Sequence, residues 1–168
     1  MANVKAVGLT IADNIANGSS TTMGNQTSSG GLLKCQVDSV ECSALSAVGN
    51  TFRLARVPSN ASIVMLKLSN DATTAGAVDI GLYKTAKDGG AVVDADAYAS
   101  AHSTATATSS WPNQAYEARN VDKVRNEVWQ DAGLSADPGI DYDIVLTVTT
   151  ELTDAASLAL LTIYTDGN

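Results

Sequence analysis

One histidine, two cysteines and two closely spaced aspartate pairs are the side chains of this 168-residue sequence whose types could support chemistry. His102 lies in a Ser/Thr/Ala-rich stretch with no nucleophile-elbow glycine pattern nearby, so it reads as an exposed loop or strand histidine rather than the base of a hydrolytic triad. One histidine and two isolated cysteines do not make a zinc ligand set. Gly89-Gly90 lacks the Lys and Ser/Thr that follow a phosphate-cradling loop. Asp94 with Asp96, and Asp141 with Asp143, each place two acids on one strand face. Such a pair binds Ca²⁺ if loops add oxygens, or serves a glycosidase if the two acids face each other; the same spacing suits solvated surface or capping charge. Cys35 and Cys42 are seven residues apart, an odd interval that puts them on opposite faces of an uninterrupted strand and beyond disulfide reach. Both are expected to be reduced and to pack as small buried hydrophobes. The expectation is a non-enzyme with no catalytic residues, no metal ligands and no cofactor.

The charge balance narrows the partners. Ten Lys and Arg against 18 Asp and Glu give a formal charge of −8 and a pI near 4.4, which removes the electrostatic drive for binding nucleic acid. A neutral carbohydrate or another protein, especially one with a basic surface, is compatible. The start has one Lys and no continuous apolar run of signal-peptide length, and no later segment approaches a membrane span. A soluble product folded in the cytoplasm, without a membrane partner, is expected.

Hydrophobic residues make up 45% but aromatics only 5%, with abundant Ala, Ser, Thr and Gly, a mixture suited to short strands and turns. The organising stretch is TFRLARVPSNASIVMLKLSNDATTAGAVDIGLYK, residues 51–84. Val64, Leu66 and Leu68 share one side of a strand, and Val78, Ile80 and Leu82 share one side of the next, against Asp79, Gly81 and Tyr83. Pro58-Ser59-Asn60 makes the turn between the first two segments. Upstream, Leu33, Cys35 and Val37 alternate with polar residues, then Val40, Cys42 and Ala44 take the other parity, which predicts a bulge or bend near Asp38-Ser39. Asp94 to Ala99 is expected to form one helical turn, Ser100 to Ser110 an edge strand, and Asn120 to Gly133 an amphipathic helix with Val121, Val124, Val128 and Trp129 toward the sheet. Tyr142, Ile144, Leu146 and Val148 point inward from a strand that the closing SLALLTIYT is expected to join as a terminal hairpin. The total, seven or eight strands plus a helix, predicts an all-β fold: a β-sandwich of jelly-roll type, residues 32–168.

Residues 1–31 read differently, rich in Asn, Gly, Ser and Thr with linker-like composition from 18 to 31. They are expected to form an extended N-terminal arm. Its scattered apolar residues Val4, Val7, Leu9, Ile11 and Ile15 cannot make a core alone, so they are the candidate contacts to another protein or protomer.

The stretches RVPSNASIVMLKLSNDA, VDIGLYKTAKDGGAVVDADAYASA and VWQDAGLSADPGIDYDIVLTV, in this order, resemble the head decoration (cement) proteins of tailed bacteriophages across residues 51–165. The resemblance implies a β-sandwich that sits on the outer face of the capsid, made in the host cytoplasm, with the major capsid protein as partner. It also implies a homo-oligomer, a trimer in preference to a dimer. It carries over no residue-level site. The alternative is a receptor- or glycan-binding module of a phage head fibre or tail; Trp111, in SSWPNQ, is its one candidate platform.

Overall fold

The computed structural model describes residues 32–166 except residue 44. Alternation of apolar and polar residues builds seven strands: β1 (Leu33–Cys42), β2 (Thr51–Pro58), β3 (Ser62–Asn70), β4 (Ala77–Lys84), β5 (Val92–Ser103), β6 (Asp141–Thr150) and β7 (Ala156–Thr165). They form two antiparallel sheets, one ordered β1-β7-β3 and the other β2-β6-β4-β5. The described residues are thus an all-β sandwich. Its core lies between the inner faces: Ile63, Leu66, Leu68, Leu158 and Leu160 from the first sheet meet Val57, Val78, Ile80, Leu82, Tyr142, Ile144, Leu146 and Val148 from the second. Each such aliphatic side chain, once buried, stabilises by roughly 1.5–3 kcal/mol before the entropy of ordering is charged against it.

The inward rows expected on β4 and β6 are found, and Leu66 and Leu68 point inward as read. Val64 does not share their row, because the β3–β7 register shifts between Ile63 and Met65 and Ile63 takes the inner position.

Four other expectations are corrected. First, β1 keeps one register against β7 from Leu33 to Cys42, with no bulge at Asp38-Ser39. Cys42 is buried, but Leu33, Cys35 and Val37 face outward and are exposed, since β7 needs the even positions of β1 to continue its own inward row. Second, β7 does not pair with β6; residues 151–155 carry the chain across the sandwich, so that β7 lies between β1 and β3. Third, the residues read as a helical turn at Asp94 belong to β5, which ends at Ser103, and only isolated bridges at Thr108 and Asn113 continue the Ser/Thr/Ala stretch alongside β3.

Fourth, the expected helix is broken into a 3₁₀ segment, Val121–Arg125, and a single turn α1, Val128–Asp131, with Asn126 extended at ψ 140°. The tertiary fold takes its backbone donors: Val128 N–H bonds the Ala61 carbonyl and Trp129 N–H the Ser59 carbonyl, so the segment caps the β2–β3 turn. Val128 is buried and Trp129 half-buried, while Val121 and Val124 are exposed.

Strand β5 is irregular in a way that shapes one face. Ile80 pairs with Ala99 and Leu82 with Asp94, so three residues on β4 (80–82) face six on β5 (94–99), and the surplus arches over β4. The arch brings the backbone of Asp94 and Ala95 against Gly81, where any Cβ would overlap the Ala95 carbonyl. Beyond it, Ala101 at φ 50° is held by Asp79, whose Oδ1 accepts its N–H at 2.6 Å.

Candidate functional site

Three features outside the core could do more than hold the fold. The first is centred on Asp143, read from sequence as surface charge yet buried on the outer side of the four-stranded sheet. β2 lies beside β6 with a register shift between Arg53 and Ala55, which turns Arg53 and Arg56 toward the same carboxylate. Arg56 Nε and Nη2 donate at 2.7 and 3.2 Å and Arg53 Nη1 at 2.8 Å. Arg53 also donates to the Lys84 and Gly90 carbonyls and lies over the Tyr83 ring, while the Gln36 side chain exchanges hydrogen bonds with the Arg56 backbone. The carboxylate is saturated by its own chain. Asp141, its presumed companion, is exposed, so the two do not form a facing acid pair.

Burial pushes the Asp143 carboxyl up, and the hydrogen bonds and charges of Arg56 and Arg53 outweigh that, holding it below the ordinary carboxylate value. The pair therefore stabilises the fold above the ordinary range, and that stability is lost as pH falls through the depressed value. Asp131 and Asp94 act with the opposite sign: burial raises both, Asp94 also through its hydrogen bond with Asp96, so their ionisation weighs against the fold until pH drops below the raised values. Asp143→Asn is expected to lower the thermal midpoint at pH 7 and to flatten its decline between pH 5 and 2, as read by melts across that range. An unchanged acid limb would contradict the assignment.

The second feature is Arg119, which is buried with Asp131 beside it. Arg119 Nη2 lies 3.0 Å from Asp131 Oδ2 and donates to the Asn126 carbonyl. The guanidinium sits between the rings of Tyr98 and Tyr116, 5.7 and 5.5 Å from their centroids. A polar cavity of about 190 Å³ opens above the pair, lined also by Asp94, Asp96, Asn120 and Lys123. Asp94 and Asp96 are exposed and lie two residues apart on β5, not as acids facing each other across a cleft. Among the described residues no group of three or more His, Cys, Asp or Glu is placed to hold a metal ion. Sequence reasoning missed the buried pair, because the fold alone brings Tyr98 of β5 and Tyr116 to Arg119.

His102 is half-buried on β5 opposite Val78, with burial lowering its pKa against the pull of Glu117. Trp111 is half-buried at φ 52° in the loop laid along β3, where the Pro112 carbonyl accepts the Leu68 N–H at 3.3 Å, so its ring is not a free-standing platform.

The third feature is the outer face of β1-β7-β3. Leu33, Cys35 and Val37 of β1 form one row, level with Ile163 and Leu161 of β7, with Met65 of β3 beyond. The central row is half-buried by its two neighbours, whereas Leu33 and Val37 on the edge strand remain 62% and 64% exposed. The arm candidates Val4, Val7, Leu9, Ile11 and Ile15 lie outside the described residues.

No family model matches the chain and no curated protein matches it. Among solved structures, the chain is similar to a chain of the cyanophage Pam1 capsid asymmetric unit. The TM-score is 0.52 at 14% identity, covering 82% of this chain and 86% of that one. At this identity the likeness is one of fold.

Proposed function

We propose that this chain is a virion structural protein, a decoration protein that binds the outer surface of a bacteriophage major capsid protein lattice and stabilises the head. The observation that carries the reading is the match, over most of both chains, to a fold found in a phage capsid asymmetric unit. The Asp143 cluster supports it, because its carboxylate is engaged by Arg53 and Arg56 of the same chain and serves the sandwich. On this reading the chain is not an enzyme, and it acts as a homo-oligomer, a trimer in preference to a dimer.

Strand order supports the jelly-roll form of the sandwich. Residues 108–113, bridged to β3 at Asn70 and Lys67, occupy the place of an eighth strand and would complete β1-β7-β3 as a four-stranded layer facing β2-β6-β4-β5. A compact sandwich with a net charge of −8 and outward apolar side chains suits a molecule that adheres through repeated small contacts. The test is to mix the purified chain with heads assembled without it. Saturable co-sedimentation and a higher temperature of head rupture are expected; free protein left in the supernatant at all ratios would reject the reading.

A further inference from the structure

Among the described strands β1 pairs with β7 alone, which leaves its other edge free. Asp166 N–H donates to the Leu32 carbonyl at 3.2 Å, which fixes the phase of the antiparallel ladder. Residues Leu33, Cys35, Val37, Ser39 and Glu41 then turn their backbone N–H and C=O groups away from β7. Ser39 N–H is met by Asp38 Oδ1 at 2.8 Å, which fits that phase and blunts one position of the edge. The remaining edge runs straight over ten paired residues with no bulge and carries an apolar row on its outer side. Native proteins cover such edges.

A missing flank explains the exposure of that row. Leu161 and Ile163 have the same chemistry and the same outward direction, yet they are half-buried because a strand lies on each side. One more strand beside β1 would do the same for Leu33, Cys35 and Val37. A second copy packed flat on this face is a poorer occupant. Three strands of this length offer roughly 450 Å² per copy, about 900 Å² in total, below the ~1,200 Å² at which specific interfaces become stable.

The chain itself holds a better fit. Residues 1–31 lead directly into Leu32 at the start of β1, and Val7, Leu9 and Ile11 alternate with Gly8 and Thr10 at strand period. We propose that the segment around Val7–Ile11 of a neighbouring copy pairs as a strand with the free edge of β1 and sets Val7, Leu9 and Ile11 beside Leu33, Cys35 and Val37. Residues 16–31 can span about 50 Å when extended, enough to reach an adjacent protomer. The choice of the neighbour over the same chain rests on the reading above, in which copies must hold one another and the sheet face is too small to do so alone. Main-chain pairing would supply affinity and the alternating side chains the register.

Cys35 makes the proposal testable in the full chain, because Cys42 is buried and Cys35 lies in the row to be covered. Leu9→Cys protein, without capsid present, is treated with a short bismaleimide and run on a denaturing gel. Covalent dimers and higher species that vanish in Leu9→Cys/Cys35→Ser are expected. An internal cross-link that leaves only monomers would overturn exchange between copies, and no Cys35-dependent cross-link would overturn the docking itself. In parallel, the Cys35 thiol of the unsubstituted chain should react with a thiol reagent about tenfold more slowly than in Leu9→Asp/Ile11→Asp. Equal rates would also sink the proposal. Since neither measurement involves heads, a failure here is distinguishable from a failure to bind the capsid.

Discussion

Gly81→Ala is expected to lower the thermal midpoint by about 10 °C, a larger loss than any other glycine substitution in the described sandwich. The Cβ would meet the Ala95 carbonyl and the Asp94 carbonyl, both backbone atoms of the β5 arch, so no side-chain rotation relieves the overlap. Over-packing of this kind costs on the order of 3 kcal/mol, and a domain of this size loses about 3 °C per kcal/mol. Gly89→Ala provides the contrast. Gly89 has φ 94° and nothing within 4 Å of a built Cβ, so only the backbone penalty of about 1 kcal/mol applies. Melts that rank the two equally would show that β5 does not cross β4 as described.

Arg119→Ala is the second large effect. It leaves the Asp131 carboxylate buried without its cation and removes the guanidinium from between Tyr98 and Tyr116. Breaking a buried pair from one side costs about 3–5 kcal/mol, which predicts a midpoint fall of about 9–15 °C. Because most of that loss is the uncompensated charge, Arg119→Leu/Asp131→Leu should recover more than half of it. A double variant as unstable as Arg119→Ala would instead assign the loss to the aromatic stack. The pair joins the segment before α1 to α1 itself, with Tyr98 of β5 under the guanidinium, so calorimetry of either variant should also show whether that segment melts with the sheets.

How far the fold could be read from the residues depended on where packing is two-sided. β4 and β6 were legible because Val78, Ile80 and Leu82, and Tyr142, Ile144, Leu146 and Val148, repeat at period two with the core on one side. β1 was misread because its apolar residues occupy both faces: Val40 and Cys42 point in, Leu33, Cys35 and Val37 point out, and a single chain offers no partner to explain the outer row. The helix expected at Asn120–Gly133 had suitable caps and spacing, but tertiary hydrogen bonds to Ala61 and Ser59 outweigh a local propensity of tenths of a kcal/mol per residue. Pairing of β7 with β1 and β3 could not come from adjacency, since the crossing at residues 151–155 has the length of an ordinary hairpin loop. Of the polar clusters, neither Asp143 nor Arg119 was recognisable, as both depend on irregular registers in β2 and β5.

We propose that these two sheets form a fastener on the outside of a phage head. Cryo-electron microscopy of particles reconstituted with the purified chain tests it most directly: the claim predicts sandwich-shaped density on the outer capsid surface, clustered about local symmetry axes and contacting more than one capsid subunit. Density confined to a fibre or tail, or particles with bare capsid surfaces at saturating protein, would contradict it.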